Sequence, residues 1–339
     1  MIHVGVDLHQ RFCYMTALEA RGKIIHSGTV ENEKAALRRY FRQFGRREVQ
    51  VAVEACGFWP GFREVVEPEV ERLVLVHPQR VKAIASAKLK NDRVDSATLA
   101  HLLRCDLLPE SWKADRETQA RRQQVRLRAT LVRQRTRLKN QVHAVLHQQG
   151  LRAPVTDLFG KRGRQWLAQV KLPKTGRQAV EVCLRMIDRY REEIEEQNRQ
   201  LREQWRGDQR AQWLTTIPGI GMYSAMLLLA EIGDIRRFQD KRALCSYAGL
   251  VPRVRESAGK PQARGGITRQ GSPWLRWILV EAAQVATRSS PAAQHCYERL
   301  RRKKHPHVAR VGLARKLLVA VYALLHDGVA FDEAKFAAV

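Results

Sequence analysis

A chain of 339 residues with 61 Lys and Arg against 34 Asp and Glu carries a formal charge of +27, and an imbalance of that size implies a polyanionic partner, nucleic acid first. With 44% hydrophobic residues, the chain can build the cores of two or three domains, which excludes a disordered basic tail. Six cysteines lie far apart with no Cys-x-x-Cys pair, so neither a zinc ribbon nor a disulfide framework is indicated, and no apolar run approaches the roughly 20 residues of a membrane span. The expectation is a soluble, cytoplasmic, nucleoid-associated protein of a prokaryote whose cysteines are buried thiols.

In chain order, the first hundred residues alternate strand and helix patterns. Ile2 to Asp7 predicts an apolar strand ending in an acid, Cys13 to Glu19 a second, and Ile24 to Val30 a third after the turn at Arg21-Gly22-Lys23: a three-strand meander. Residues 33–44 suit a helix, Val49 to Glu54 a fourth strand, Gly61 to Val70 a helix and Leu73 to Val76 a fifth strand. The segment beginning at Pro78 looks helical. Asp92 to Leu103 has Val94, Leu99, Leu102 and Leu103 on a helical period. This N-terminal part holds 17 basic and 13 acidic residues before position 110, so the charge excess lies mainly beyond it.

Arg116 to Gln149 has no Pro or Gly and repeats Leu131, Leu138, Val142 and Val145 at helical steps, predicting a long basic helix. A second long helix over Ala179 to Trp205 spaces Val180, Ile187, Ile194 and Leu201 by sevens, with Arg191 and Asn198 on the same seam, and suggests a coiled-coil arm. Residues 151–178, with Pro154, Gly160, Gly163, Pro173 and Gly176, predict a connector. The last third predicts helices around one long irregular stretch, Pro252 to Pro273. The domains expected are 1–110, a 111–210 arm and 211–339.

Three constellations carry chemistry. Asp7 and Glu54 end strands, and Asp92 and Asp95 sit three apart at a helix start, where they share a face. Carboxylates brought together this way need a hard divalent cation, Mg²⁺, since otherwise they repel and protonate. Taken singly, each acid equally suits a cap or a turn. Ile217-Pro218-Gly219-Ile220-Gly221 before Met222 to Ile232 is a Gly-x-Gly turn opening a helix. It suits phosphate binding by backbone amides, as in a helix-hairpin-helix turn, or tight helix packing. The third constellation combines Arg253, Arg255, Ser257, Lys260, Arg264 and Thr268 with Arg269, Ser272 and Arg276. It offers a serine nucleophile among guanidinium groups, or a generic phosphate-binding loop. On the long basic helix, Arg126, Arg133, Arg137 and Lys139 are candidate nucleic-acid contacts. The eleven histidines show no ligand spacing; His9 after Asp7 is only suggestive. Trp59, Trp112, Trp205 and Trp274 read as packing residues, and Arg301 to Lys304 as a solvated face or a phosphate patch.

These pieces in this order resemble the DEDD insertion-sequence transposases of the IS-one-ten family, bridge-RNA-guided serine recombinases. The resemblance rests on Val4-Gly5-Val6-Asp7, Val53-Glu54-Ala55 and Asn91 to Ser96 at the front. At the back it rests on Ile217 to Gly221, Tyr247 to Pro252, Gly271 to Arg276 and Ala314-Arg315-Lys316-Leu317. It implies an α/β ribonuclease-H-like (RuvC-like) domain and a mostly helical C-terminal transposase domain joined by a helical arm, in a dimer or tetramer. It also implies Mg²⁺ on Asp7, Glu54, Asp92 and Asp95, and a serine that links covalently to DNA, with acids and serine from different protomers. Donor and target DNA would be chosen by pairing with a structured guide RNA. By position the resemblance makes Ser257 the nucleophile, although Ala258 separates it from Gly259 where the family commonly has serine directly before glycine; Ser272 and Ser246 are the alternatives. A RuvC-like junction nuclease using water, a site-specific DNA invertase and a non-catalytic binding protein are the competing readings.

Overall fold

The structure, a computed structural model, describes the backbone of residues 1–84, 91–257 and 260–338, with all side chains in these ranges other than those of 254–257, 260–265, 335, 337 and 338. The chain divides into two compact units, Met1–Lys113 and Ala114–Val339.

In the first unit, β1 (Ile2–Leu8), β2 (Phe12–Leu18) and β3 (Ile24–Glu31) form the antiparallel meander. Strand β4 (Val49–Glu54) then joins β1 in parallel and β5 (Arg72–Val76) joins β4 in parallel, giving the order β3-β2-β1-β4-β5. Period-two alternation sorts the side chains onto two faces. Val4, Val6, Leu8, Val51, Val53, Leu73 and Leu75 form a core with Leu37, Phe41, Phe62 and Val66 from α1 (Lys34–Arg42) and α2 (Trp59–Val66). Ala52, Val74 and Val76 on the opposite face meet Val81 of α3 (Pro78–Ile84) and Leu99 and Leu103 of α4 (Asp92–Arg104). A mixed sheet covered on both faces, with a three-strand meander leading it, is consistent with a ribonuclease-H-like domain.

The second unit is helical apart from one hairpin. Helix α5 (Arg116–Gln148) starts at the Asp115 cap, whose carboxylate accepts from the Thr118 amide at 2.6 Å. It lies antiparallel to α7 (Lys174–Gly207): Gln124 faces Gln200 and Gln204, Arg128 faces Asn198, and Gln141 faces Cys183. Val180, Ile187, Ile194 and Leu201 are buried along the seven-residue seam, and Asn198 is tolerated there because its amide oxygen accepts from Arg128 at 3.1 Å. The connector predicted over 151–178 contains α6 (Lys161–Gln169), and α7 begins five residues before the predicted start. Gly163 permits α6, because a Cβ there would lie 2.2 Å from the Leu158 carbonyl.

Helices α8 (Gln209–Leu214), α9 (Met222–Ile232), α10 (Lys241–Tyr247), α11 (Pro273–Ser289), α12 (Pro291–Arg301), α13 (Pro306–Asp327) and α14 (Glu333–Ala338) complete the unit around its largest core. The stretch predicted as irregular after Pro252 forms a β-hairpin, β6 (Pro252–Ser257) with β7 (Lys260–Ile267); its glycines and charges had hidden the alternation. All six cysteines are free, but only Cys13, Cys245 and Cys296 are buried; Cys105 is exposed. Among the described residues no helix is long and apolar enough to cross a membrane.

Candidate functional site

Gly5 sets the geometry of the acid cluster. A Cβ on Gly5 would stand 2.0 Å from the Ser96 carbonyl oxygen and 2.5 Å from the Ala100 nitrogen, so α4 lies directly on the backbone of β1. A buried hydrogen bond, Thr16 Oγ1 to Ser96 Oγ at 2.8 Å, ties the helix to β2, while the Ser96 hydroxyl donates to the Arg93 carbonyl. Asn91 caps the helix by accepting from the Val94 amide at 2.8 Å, which holds Asp92 and Asp95 in the first turn, where the helix dipole favours negative charge.

The consequence is a meeting of carboxylates at the carboxyl end of the sheet. Asp7 follows Gly5 and leans to the α4 face, and the parallel register Val6 to Val53 places Glu54 at the end of the neighbouring strand on that face. Burial pushes the Asp7 carboxyl above its ordinary value; His9 opposes this, while the charges of Asp92 and Asp95 act with it. Asp95 is therefore close enough to Asp7 to be felt electrostatically.

His9, only suggestive in the sequence, lies beside these acids. Its Nε2 stands 3.4 Å from Asp7 Oδ2 and 3.3 Å from Asp92 Oδ2, with the His9 side chain 41% exposed, and its contact with Asp7 opposes the rise in that carboxyl's pKa. Ligand atoms of Asp7, His9 and Asp92 lie within 4.8 Å of one another, as a shared cation requires. An imidazole nitrogen between two carboxylates, on a rim where Asp7, His9 and Asp92 are 26%, 41% and 43% exposed, has the spacing of a divalent-metal site. The only signal in the sequence was the Asp-x-His spacing just past a strand end.

The basic helix is used differently from the sequence expectation. Arg126, expected to contact nucleic acid, forks onto Glu231 of α9 at 2.7 and 3.0 Å. Arg133 is exposed but its guanidinium lies 4.5 Å over the Trp274 ring and 5.3 Å over Trp277. Lys139 Nζ lies 4.7 Å over Phe159, and Arg137 points outward. In the Gly-x-Gly turn the two glycines differ. Gly219, at φ +82°, is packed against α11, with a Cβ position 2.1 Å from the Ala282 carbonyl, whereas Gly221 opens α9 with free space around it.

Around the hairpin, Arg253 and Arg269 are exposed, and Arg276 donates to the Ala248 carbonyl at 3.1 Å, its burial lowering the guanidinium pKa from its ordinary value. Ser257 ends β6 and pairs in register with Lys260, but the side chains of Arg255, Ser257, Lys260 and Arg264 lie outside the described residues. Of the alternative serines, Ser246 is exposed on α10. Ser272 is buried, caps α11 through the Leu275 amide and donates to Glu231.

A carboxylate cluster at the end of a mixed sheet, followed by a basic helical unit, is consistent with a nucleic-acid-processing enzyme of the ribonuclease-H-like class. The comparisons with known proteins agree. A DEDD transposase model of the IS110 group matches residues 4–150, and the model described as "Transposase IS116/IS110/IS902 family" matches residues 211–298. The chain is similar to the "Transposase for insertion sequence element IS1328" of Yersinia enterocolitica, 29% identical over 291 residues, which span 84% of this chain and 85% of the relative. A "Probable family 20 transposase" of Pseudomonas aeruginosa is 28% identical over 336 residues, 95% of this chain and 96% of the relative. The "Pilin gene-inverting protein" of Moraxella bovis is 36% identical over 126 residues, 37% of this chain and 39% of the relative. The chain belongs to the IS110 family of insertion-sequence transposases.

Proposed function

We propose that this transposase cuts and rejoins DNA through a covalent serine–DNA link, with Mg²⁺ held by Asp7, Glu54, Asp92 and Asp95, and His9 beside them. The observation that supports the metal part of this reading is the close approach of Asp7, His9 and Asp92 at the end of β1; the serine part rests on the resemblance of the chain around Ser257. A divalent cation there supplies charge neutralisation at the scissile phosphate. The four carboxylates and the partly open rim suit Mg²⁺, with His9 as a neighbour of the acids and not a ligand, since an imidazole ligand would favour a softer metal.

In the reaction, the Ser257 hydroxyl oxygen bonds to phosphorus as the bond from phosphorus to one deoxyribose oxygen breaks. The serine proton passes to solvent, and the displaced deoxyribose oxygen takes one up. Attack by a deoxyribose hydroxyl of another strand then releases the serine, so the phosphodiester count is conserved without ATP. Arg253, Arg255, Lys260, Arg264 and Arg269 are suited by charge to hold the phosphate during the exchange. The family's name for its N-terminal domain speaks of acids alone, so water as the nucleophile is the outcome the test must separate.

The basic excess of the C-terminal two thirds suits donor and target DNA together with a structured bridge RNA that pairs with both. The α5–α7 pair would act as the arm, the turn at Gly219 and Gly221 as a backbone grip, and two or four protomers would complete the site in trans. The name of the Moraxella relative favours inversion as a second reading; its chemistry is the same and only the arrangement of the DNA ends differs.

The test uses a duplex carrying the element's end, RNA transcribed from the gene's flanks, and Mg²⁺. Asp7→Asn, Glu54→Gln, Asp92→Asn and Asp95→Asn should each slow strand cleavage by roughly 10²–10³-fold, the scale of removing one electrostatic group from a reacting centre. Duplex binding should persist, because the basic surface is untouched. Wild-type rates in any two variants would refute the tetrad.

A further inference from the structure

Glu231 has 1% of its side chain exposed and sits in the last turn of α9, where the helix dipole disfavours a carboxylate. Three groups hold it there. Arg126 of α5 grips both its oxygens at 2.7 and 3.0 Å, Ser272 Oγ donates to Oε2 at 3.0 Å, and Arg122, one turn earlier on α5, donates to the Ala230 and Glu231 carbonyls at 2.9 and 2.8 Å. A buried ion pair of this kind adds little net stability over apolar packing. What it can fix is a unique arrangement of the elements it joins, here α5, α9 and the residue that caps α11.

That capping residue is also the foot of the β6–β7 hairpin. Ser272 caps α11, and its amide donates to the Tyr247 carbonyl at 2.8 Å. Beside it the chain entering the hairpin and the chain leaving it are bonded to each other: the Thr268 amide donates to Val251 O at 2.9 Å and the Arg269 amide to Gly249 O at 3.4 Å. Gly249 and Gly271, at φ +66° and +92°, allow this contact. A Cβ on Gly249 would lie 2.4 Å from Gln270 O, and one on Gly271 would lie 2.0 Å from Tyr247 O. The hairpin therefore rises from a closed clamp, and Ser272, Glu231 and Arg126 anchor that clamp to α5.

We infer that Glu231, Arg126 and Ser272 are positioning residues for strand transfer, fixing the base of the β6–β7 hairpin against α5 so that the hairpin meets DNA in one geometry. The inference rests on the role proposed above for the hairpin. Ser272, an alternative nucleophile by sequence, is assigned here to holding the frame.

The test measures single-turnover strand cleavage by the full-length protein on the element-end duplex with Mg²⁺ and flank RNA, well below every variant's melting point. Glu231→Gln and Ser272→Ala should slow cleavage by roughly 10–100-fold, the range that small misplacement of reacting groups produces. Their dissociation constants for the duplex should stay within about threefold of wild type, since the loss is confined to the reacting state. Ser272→Thr keeps the hydroxyl and should restore the rate. Leu279→Ala, a fully buried change on α11 away from the carboxylate, should lower the melting temperature while cleaving at the wild-type rate.

Cleavage that tracks melting temperature across all four variants would overturn the inference, as would wild-type cleavage by Glu231→Gln. If Glu231→Gln fails to fold, the Ser272→Ala and Ser272→Thr pair decides. The serine reading fails separately: Ser257→Ala cutting at the wild-type rate removes that nucleophile, whereas a dead Ser257→Ala beside a fully active Glu231→Gln overturns positioning alone.

Discussion

The two units use charge in opposite ways. In Met1–Lys113 the sheet and α4 bring Asp7, Asp92 and the His9 ring together at a partly open rim, with burial and neighbouring acids raising the Asp7 pKa. In Ala114–Val339 arginines are drawn into the frame: Arg126 onto Glu231, Arg128 4.1 Å over Tyr223 and onto Asn198, Arg133 over Trp274 and Trp277. The acids are gathered without enough basic partners to offset them, an arrangement common at functional sites. The arginines are satisfied by protein partners. Net charge therefore overstates the surface left for nucleic acid, and its sign alone does not locate a site.

Three substitutions would break or sharpen that contrast. Arg126→Glu should destabilise the second unit most, by about 3 kcal/mol, because it leaves Glu231 buried beside a second carboxylate; the low end of the range applies because Arg126 is 40% exposed. Urea unfolding followed by fluorescence reads this, and unchanged stability would show that the Arg126–Glu231 contact does not hold the unit together. Gly5→Ala forces α4 off β1 and should cost about 1–3 kcal/mol, with a rise in the Mg²⁺ concentration needed for cleavage, since Asp92 and Asp95 move with the helix. A stable variant with unaltered metal dependence would mean that α4 does not position the acids. Arg137→Glu has the smallest expected effect: stability should hold, while the slope of log affinity against log salt for duplex DNA falls by about 1. An unchanged slope would place even this exposed arginine outside the nucleic-acid surface.

The strands and α4 were legible because their signals are local. Alternation marks β1, which runs one residue past Asp7 to Leu8, and β4 down to Glu54 at its end, and Asn91 ahead of Asp92 marks a helix start. His9 was legible only as an Asp-x-His spacing, because what makes it notable is the distance to Asp92, a contact set by the bare backbone of Gly5 and by the Thr16–Ser96 bond. The partner of Arg126 lies 105 residues further on, so a helix of unpaired cations and a helix of internal struts look alike in sequence. The β6–β7 hairpin escaped because Gly259, Gly265 and Gly266 interrupt the two-residue period, while the clamp at its base depends on long-range backbone contacts of Gly249 and Gly271.

The central claim, that the acid cluster and the hairpin serine act together on one phosphate, is tested most directly by trapping reactions and resolving them under denaturing conditions. Wild-type protein should show a protein–DNA species whose linked peptide contains Ser257. Asp7→Asn and Ser257→Ala should each lack that species, and mixing the two variants should restore part of it if the groups come from different protomers. Strand cleavage by wild-type protein with no covalent species, or a species that persists in Ser257→Ala, would contradict the account.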